Sequence, residues 1–379
     1  MKFVVPMAGA GTRLRPFTFS KPKGFFKVAG KRLIDHILDL FKMVGSDPSD
    51  LLIITGSEER AVRNYIRDVY SSSFDISFIS QQPKGYDGNI PYFGGLGQAI
   101  LLSAEWYAKK VSSYDSLRSE DFVIINLNDM VPLKGYDDFI EILQGKQTRS
   151  DDVDGVIGIM RVPKSTISSY GIVMVNSKTG FIENLVEKPK SSPSNLAIAG
   201  VYGFKPRTMK SLYAFLEKEV QKFEGKEGEA QLTPALQDLV EHGFKLVAME
   251  FKSGILDFGK YSTLLEGNKI LLSERNFPIG DNLKDFPHSS MNPPIFIGKN
   301  VKINDSVIGP YCSIGDNCVL QDCIIKNSVI GDGCHLERII TQNSIIGDNV
   351  YMDIIIKDNM LIGDQSNIRS PTNNKSNSL

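Results

Sequence analysis

Ile-Gly-Asp returns four times near the C-terminus, at 314–316, 330–332, 346–348 and 362–364, each copy sixteen residues after the last. A fixed period of this kind marks stacked structural units, each too small to bury its own apolar edge. The coils must therefore pile up until their Ile and Val ladders close a prism, a parallel β-helix, with Ile297-Gly298 and Ile308-Gly309 as weaker relatives of the repeat. All four cysteines, Cys312, Cys318, Cys323 and Cys334, fall in this region without a Cys-x-x-Cys spacing. That argues against a zinc site or a disulfide framework and for small apolar core residues. Cys318 and Cys334 stand sixteen apart and should lie one above the other, and His335, alone among the repeats, reads as a loop or stacking residue rather than the catalytic base of an acyltransferase.

The first 270 residues follow a different rule. Strand-like runs at 51–55, 74–80 and 122–127 alternate with helical patterns at 33–41 and 97–108. Such alternation predicts an α/β fold, a doubly wound and mainly parallel sheet covered on both faces. Ligands of these sheets settle at the carboxyl ends of the strands, where a glycine-rich loop follows Phe3–Met7 and Asp129 follows the run 122–127. Residues 9–23 of that loop read Gly-Ala-Gly-Thr-Arg-Leu-Arg-Pro-Phe-Thr-Phe-Ser-Lys-Pro-Lys. Glycines let the backbone aim successive N–H groups at an anion, and Arg13 and Lys23 can neutralise charge that amides cannot. The loop lacks the Gly-Lys-Ser/Thr ending of a Walker loop, and Leu14 stands where a dinucleotide fingerprint needs its third glycine.

Forty-three basic residues against 44 acidic ones leave a formal charge of −1, which offers no global field for nucleic acid or an anionic membrane. Phosphate binding must be local. The apolar run at the N-terminus is short and broken by Pro6 and Gly9, too little for a signal peptide or a membrane span, so a cytoplasmic location is expected.

The loop closely resembles the signature of sugar-1-phosphate nucleotidylyltransferases, Gly-x-Gly-Thr-Arg-Leu-x-Pro-x-Thr followed by Pro-Lys, with every fixed position present. That resemblance implies that Ala8, Gly9, Ala10, Gly11, Thr12 and Arg13 grip a nucleoside triphosphate and that Lys23 contacts phosphate. It extends over nearly all of residues 1–270. Asp129 matches the family's metal-binding Asp, although Asn128 replaces its usual Gly, and Asp257 matches the second in Trp-x-Asp-x-Gly, although Ile255 replaces the Trp. By the same resemblance Mg²⁺ is the implied cofactor, held by Asp129 and Asp257. Glu187-Lys188-Pro189 matches the motif whose Glu meets sugar hydroxyls and whose Lys meets the sugar phosphate. Tyr170-Gly171 and the segment of Gly200 and Tyr202 resemble the family's sugar-pocket segments, and Glu229 to Thr233 resembles its Glu-x-x-Leu-Thr or Glu-x-x-Ile-Thr segment.

Base selection falls to Gln82 and Gly95, with Gln81 an open alternative because the loop 84–94 is longer than usual. The forms Gly-Leu-x-Gln-Ala and Ser-Asn-Leu-Ala-Ile-Ala-Gly lean toward glucose-1-phosphate thymidylyl- and uridylyltransferases. The resemblance thus implies transfer of a nucleotidyl group from dTTP or UTP to glucose 1-phosphate. A mannose-1-phosphate guanylyltransferase and a non-catalytic regulatory subunit that binds nucleotide sugar are the alternatives. The expected organisation is a nucleotidyltransferase domain over 1–273, a linker over 274–294 and a hexapeptide-repeat β-helix, left-handed by resemblance, over 295–365. A disordered tail is expected over 366–379, and lateral packing of prisms makes a homo-oligomer the expected assembly.

Overall fold

The computed structural model describes residues 1–45, 48–56, 59–88, 90–146, 153–224, 226–274 and 286–369. The chain divides into two compact units, one of Met1–Ala10, Pro22–Gly24 and Ile34–Leu256, the other of Gly11–Lys21, Phe25–Leu33 and Asp257–Leu379.

Four adjacent parallel strands, in the order Val123–Asn126, Lys2–Pro6, Ser49–Thr55 and Phe74–Ser80, form one half of the sheet in the first unit. The three inner strands are apolar along most of their length because both faces are covered, as a parallel sheet requires. Val4, Leu52, Ile54, Val123 and Ile125 point into a core shared with Ala99, Ile100, Trp106, Tyr107, Leu212 and Leu236 of the helices on one face. Phe3 points the other way and stacks on Phe41 of the helix Leu33–Val44 with ring centroids 4.2 Å apart. The other half of the sheet is antiparallel at its seam. Leu196–Phe204 pairs antiparallel with Val123–Asn126, with Gly171–Val175 and with Gly155–Arg161. Ile182–Glu187 then closes the edge beyond Gly171–Val175.

The helical pattern over 97–108 is two helices, Gly95–Leu101 and Ala104–Lys110. The buried Ser103 makes the break: its hydroxyl bonds the Ile100 carbonyl at 2.6 Å and meets the Tyr213 hydroxyl at 2.9 Å, diverting a turn that would otherwise continue.

The second unit contains the prism. One ladder stacks Ile295–Ile297, Cys312–Ile314, Val329–Ile330, Ile345–Ile346 and Leu361–Ile362 in parallel. Two further ladders run through Val307–Ile308 and Ile324–Lys326, and through Lys302–Asn304 and Val319–Gln321, both continuing on His335–Gln342. This is a parallel β-helix. Its interior is one cluster of Ile, Leu, Val and Met, in which all four cysteines are buried as free thiols. Burial pushes the Cys312 and Cys323 thiols up to about 11, which keeps them protonated and inert. The repeat glycines are required by coil stacking, since a Cβ on Gly331 would lie 2.3 Å from Asp348 Oδ1 in the coil above. His335 stacks on Tyr351 at 5.2 Å.

Ordered coils extend beyond the limits read from the sequence. Ser290–Met291 already pairs with Val307–Ile308, and Asn367–Arg369 pairs with Tyr351–Asp353, so a strand occupies the start of the segment expected to be disordered. Ile368 packs against the prism core, which accounts for the extension. Residues 275–285 of the expected linker and 370–379 of the expected tail lie outside the described residues.

Asp121 is the buried carboxylate that ties the sheet to its flanking loop. It accepts hydrogen bonds from Lys2 Nζ at 3.2 Å, the Ser112 N–H at 3.1 Å and the Ser116 hydroxyl at 2.7 Å. Burial pushes this carboxyl up, but the Ser112, Ser116 and Lys2 donors outweigh that and hold it at about 2. A depressed folded value gives stability that is complete above the unfolded carboxyl's pKa, about 3.9, and is lost as pH falls from there toward 2. Asp121→Asn should therefore destabilise the first unit by about 1–3 kcal/mol at pH 7. The deficit should shrink at pH 3 in urea unfolding followed by the fluorescence of Trp106; an equal deficit at both pH values would contradict this account.

Candidate active site

Sheet order places the first group of candidates. Because Lys2–Pro6 lies between Val123–Asn126 and Ser49–Thr55, all parallel, the chain leaving at Met7–Ala10 and the turn 127–130 emerge at the same edge. The Met7 N–H prolongs the ladder by donating to the Ile54 carbonyl at 2.7 Å. A Cβ placed on Gly9 would meet nothing within 4 Å, so the loop faces open space there. Asp129 is presented by a turn that Asn126 holds, a residue the sequence reading passed over. Its fully buried amide donates to the Leu127 and Met130 carbonyls, both at 2.8 Å, and its Oδ1 accepts from the Tyr136 hydroxyl at 3.3 Å. The Lys23 ammonium forms an ion pair with Asp129 Oδ2, joining the Pro-Lys pair to the candidate metal ligand. Within the same unit Leu133 donates its N–H to the Gly254 carbonyl at 3.2 Å.

Among the candidates for the sugar phosphate, Tyr170, Gly171 and Lys188 lie beside Glu187. Glu187 Oε2 accepts from the Thr233 hydroxyl at 2.6 Å, and Oε1 pairs with Lys188 Nζ at 2.9 Å. Lys188 takes a left-handed conformation, φ 43°, and its N–H donates to the Tyr170 carbonyl at 3.1 Å. A Cβ on Gly171 would lie 2.8 Å from both Ile198 and Thr233, so a larger residue there would push these side chains aside. Gly200 combines φ 68° with a backbone approach that would set a Cβ 2.8 Å from Met130. Burial raises the Tyr202 phenol, and the negative charges of Glu187 and Asp129 raise it further, so one buried ring senses both candidate carboxylates.

Of the two glutamines considered for base selection, one meets Gly95. Gln81 is buried, and its Nε2 donates to the Gly95 carbonyl at 3.2 Å and to Gln98 Oε1 at 2.8 Å, whereas Gln82 is exposed. Gln81 rather than Gln82 thus meets Gly95. Successive residues of an extended chain face opposite ways, so a shift of one position reverses the assignment.

Gly11, Thr12, Arg13 and Asp257 belong to the second unit. Gly11 is left-handed at φ 59°, and its carbonyl accepts from the Thr18 hydroxyl at 2.9 Å. Leu14 and Phe17 are buried and anchor the loop, Phe17 packing edge-on against Phe26 at 5.4 Å and Tyr261 at 6.1 Å. Thr12 and Arg13 stay exposed just before these anchors, and Arg13 forms no ion pair with a described residue. Asp257 Oδ1 accepts the Gly259 N–H at 2.7 Å, so a glycine turn orients this carboxylate. Among the described residues no group of three or more His, Cys, Asp or Glu is set to hold a metal ion.

The chain is 27% identical over 346 residues to a glucose-1-phosphate thymidylyltransferase of Streptomyces antibioticus, covering 87% of each chain. It is also 27% identical over 259 residues to the UTP–glucose-1-phosphate uridylyltransferase AglF of Haloferax volcanii, covering 68% of this chain and 91% of that one. A solved UDP-glucose pyrophosphorylase, complexed with UDP-glucose, shares the fold at a TM-score of 0.57 and 22% identity, covering 72% of this chain and 99% of that one. The model of the nucleotidyl transferase family matches residues 2–274, the whole stretch that carries the phosphate loop, Asp129, Glu187 and Asp257, and the chain belongs to that family.

Proposed function

We propose that this protein transfers a nucleotidyl group from a nucleoside triphosphate, dTTP or UTP, to a hexose 1-phosphate, glucose 1-phosphate, in the cytoplasm. A phosphate oxygen of the sugar attacks the α-phosphorus in line, the bond from that phosphorus to the bridging oxygen of the β-phosphate breaks, and pyrophosphate leaves. The observation that carries this reading is the Lys23–Asp129 ion pair at the strand edge from which the glycine loop emerges. A lysine beside the candidate metal ligand suits a site that exchanges one cation for another when a charged nucleotide arrives.

Arg13 and the amides of Ala8 to Thr12 hold the triphosphate in this scheme, and Lys23 and Lys188 offset phosphate charge. Glu187, oriented by Thr233, accepts hydrogen bonds from sugar hydroxyls, with Tyr170, Gly171, Gly200 and Tyr202 shaping the sugar side. Asp129 and Asp257 would hold Mg²⁺, which when bound supplies charge neutralisation at the phosphates. Gln81 binds the base: with Nε2 occupied by Gly95 and Gln98, its Oε1 can accept the N3–H that thymine and uracil share. The prism supports self-assembly, because Ile324, Ile340 and Ile356 stand in register on adjacent strands and remain 39%, 40% and 76% exposed, an outward apolar strip.

Pyrophosphate release, measured for five nucleoside triphosphates against glucose, mannose and N-acetylglucosamine 1-phosphates with Mg²⁺, should be greatest for dTTP or UTP with glucose 1-phosphate. No release in any pairing would defeat the catalytic reading. Asp129→Asn should lower kcat by roughly 10²-fold or more without altering the circular dichroism spectrum. Gln81→Ala should raise the KM for the preferred triphosphate by about tenfold, the equivalent of one hydrogen bond, while Gln82→Ala leaves it unchanged. Light scattering should show Ile340→Lys with Ile356→Lys as a smaller species than the parent; an unchanged mass would rule out the apolar strip as the contact.

A further inference from the structure

Each aspartate of the Ile-Gly-Asp repeat serves the neighbouring coil through one of its oxygens. Oδ1 of Asp316, Asp332, Asp348 and Asp364 accepts a backbone N–H from the preceding coil, respectively Lys299 at 2.8 Å, Asp316 at 2.9 Å, Asp332 at 2.9 Å and Asp348 at 2.8 Å. That bond lines up four carboxylates at coil spacing along one edge of the prism and leaves Oδ2 for other partners. Like charges so placed repel unless cations lie beside them.

The cations come from the segments flanking Lys23. Lys21 Nζ pairs with Asp348 and, at 3.1 Å, with Asp364, whose carboxylate also accepts from the Ser20 hydroxyl. Lys27 Nζ lies 2.6 Å from Asp332 and 3.4 Å from Asp316. Burial raises the Asp316 carboxyl, but the Lys299 N–H and the Lys27 ammonium outweigh it and hold the group below the ordinary carboxylate range. A lone exposed ion pair would contribute little. Here each lysine bridges two coils, and the Lys21 and Asp364 side chains are only 17% and 9% exposed, which limits screening.

Packing follows the same path. A Cβ on Gly363 would sit 3.0 Å from Pro16, and one on Gly30 would collide with Phe296 at 2.3 Å. The Ala29 N–H donates to the buried Asn268 Oδ1 at 2.9 Å, which also accepts from the Ser313 hydroxyl at 2.7 Å.

We infer that Asp348 and Asp364, with Asp316 and Asp332 below them, are positioning residues for the nucleotide loop: through Lys21 and Lys27 the β-helix fixes the segment that presents Arg13. This deepens the proposed function and rests on it for the role of Arg13. The prism is then a working part of the triphosphate site as well as a means of assembly.

The test uses the full chain. Asp348→Asn with Asp364→Asn removes both charges yet keeps an Oδ1 to accept the inter-coil N–H, and Lys21→Met breaks the same contact while leaving the prism untouched. Amide hydrogen exchange over residues 11–21 should speed up by roughly tenfold in either variant, with the coil amides of 312–346 unchanged. The KM for the triphosphate should rise severalfold while that for the sugar phosphate holds. Combining Lys21→Met with the two Asn substitutions should add nothing further, because all three remove one contact. Unchanged exchange over 11–21 in both variants would overturn the inference. So would faster exchange throughout the coils with equal rises in both KM values. Should the parent turn over no substrate pair, the proposed function fails, and the exchange data still decide whether the aspartates hold the loop.

Discussion

Parallel pairing of Lys2–Pro6 with a strand on each side is the constraint from which the site in the first unit follows. A ladder buried on both faces admits no slip of register, since a shift of one residue would turn Phe3 away from Phe41 and Val4 away from the core it shares with Ile125. With register fixed, the loop at Met7–Ala10 and the turn holding Asp129 have one edge to share. Asn126 then turns an edge into a geometry, by spending its amide on two carbonyls of that turn.

Lysine–aspartate pairing appears in both units with different consequences. In the first, Lys23 meets a carboxylate whose proposed partner in the working enzyme is a metal, so the pair suits exchange. In the second, Lys21 and Lys27 meet carboxylates already committed through their other oxygen to the prism backbone, so those pairs suit permanence. The chemical groups are the same. What separates them is whether the carboxylate has a second obligation.

Local patterns were the legible part of the sequence. The strands that lead to Asp129 and Glu187 and the sixteen-residue repeat depend on neighbours within a turn or a strand, and the structure forms these strands and coils as the pattern requires. Three things were not legible because they arise from residues far apart in the chain. That Gln81 rather than Gln82 meets Gly95 depends on how the chain enters a loop after Phe74–Ser80, where alternation ceases to guide. The break at Ser103 depends on Tyr213, 110 residues later. Lys21 and Lys27 stood within the reading of residues 9–31, and the repeat aspartates were in view as well, yet nothing in one dimension says that they meet.

Lys21 and Asp348 are separated by 327 positions. During synthesis Lys21 and Lys27 leave the ribosome hundreds of residues ahead of the repeat aspartates, so the nascent chain must carry these two ammonium groups without those counter-charges until the coils have followed. Maturation of the segment around Lys21 is thereby timed by the coils, and a chain that lacks them, however well its sheet has formed, leaves that segment untethered.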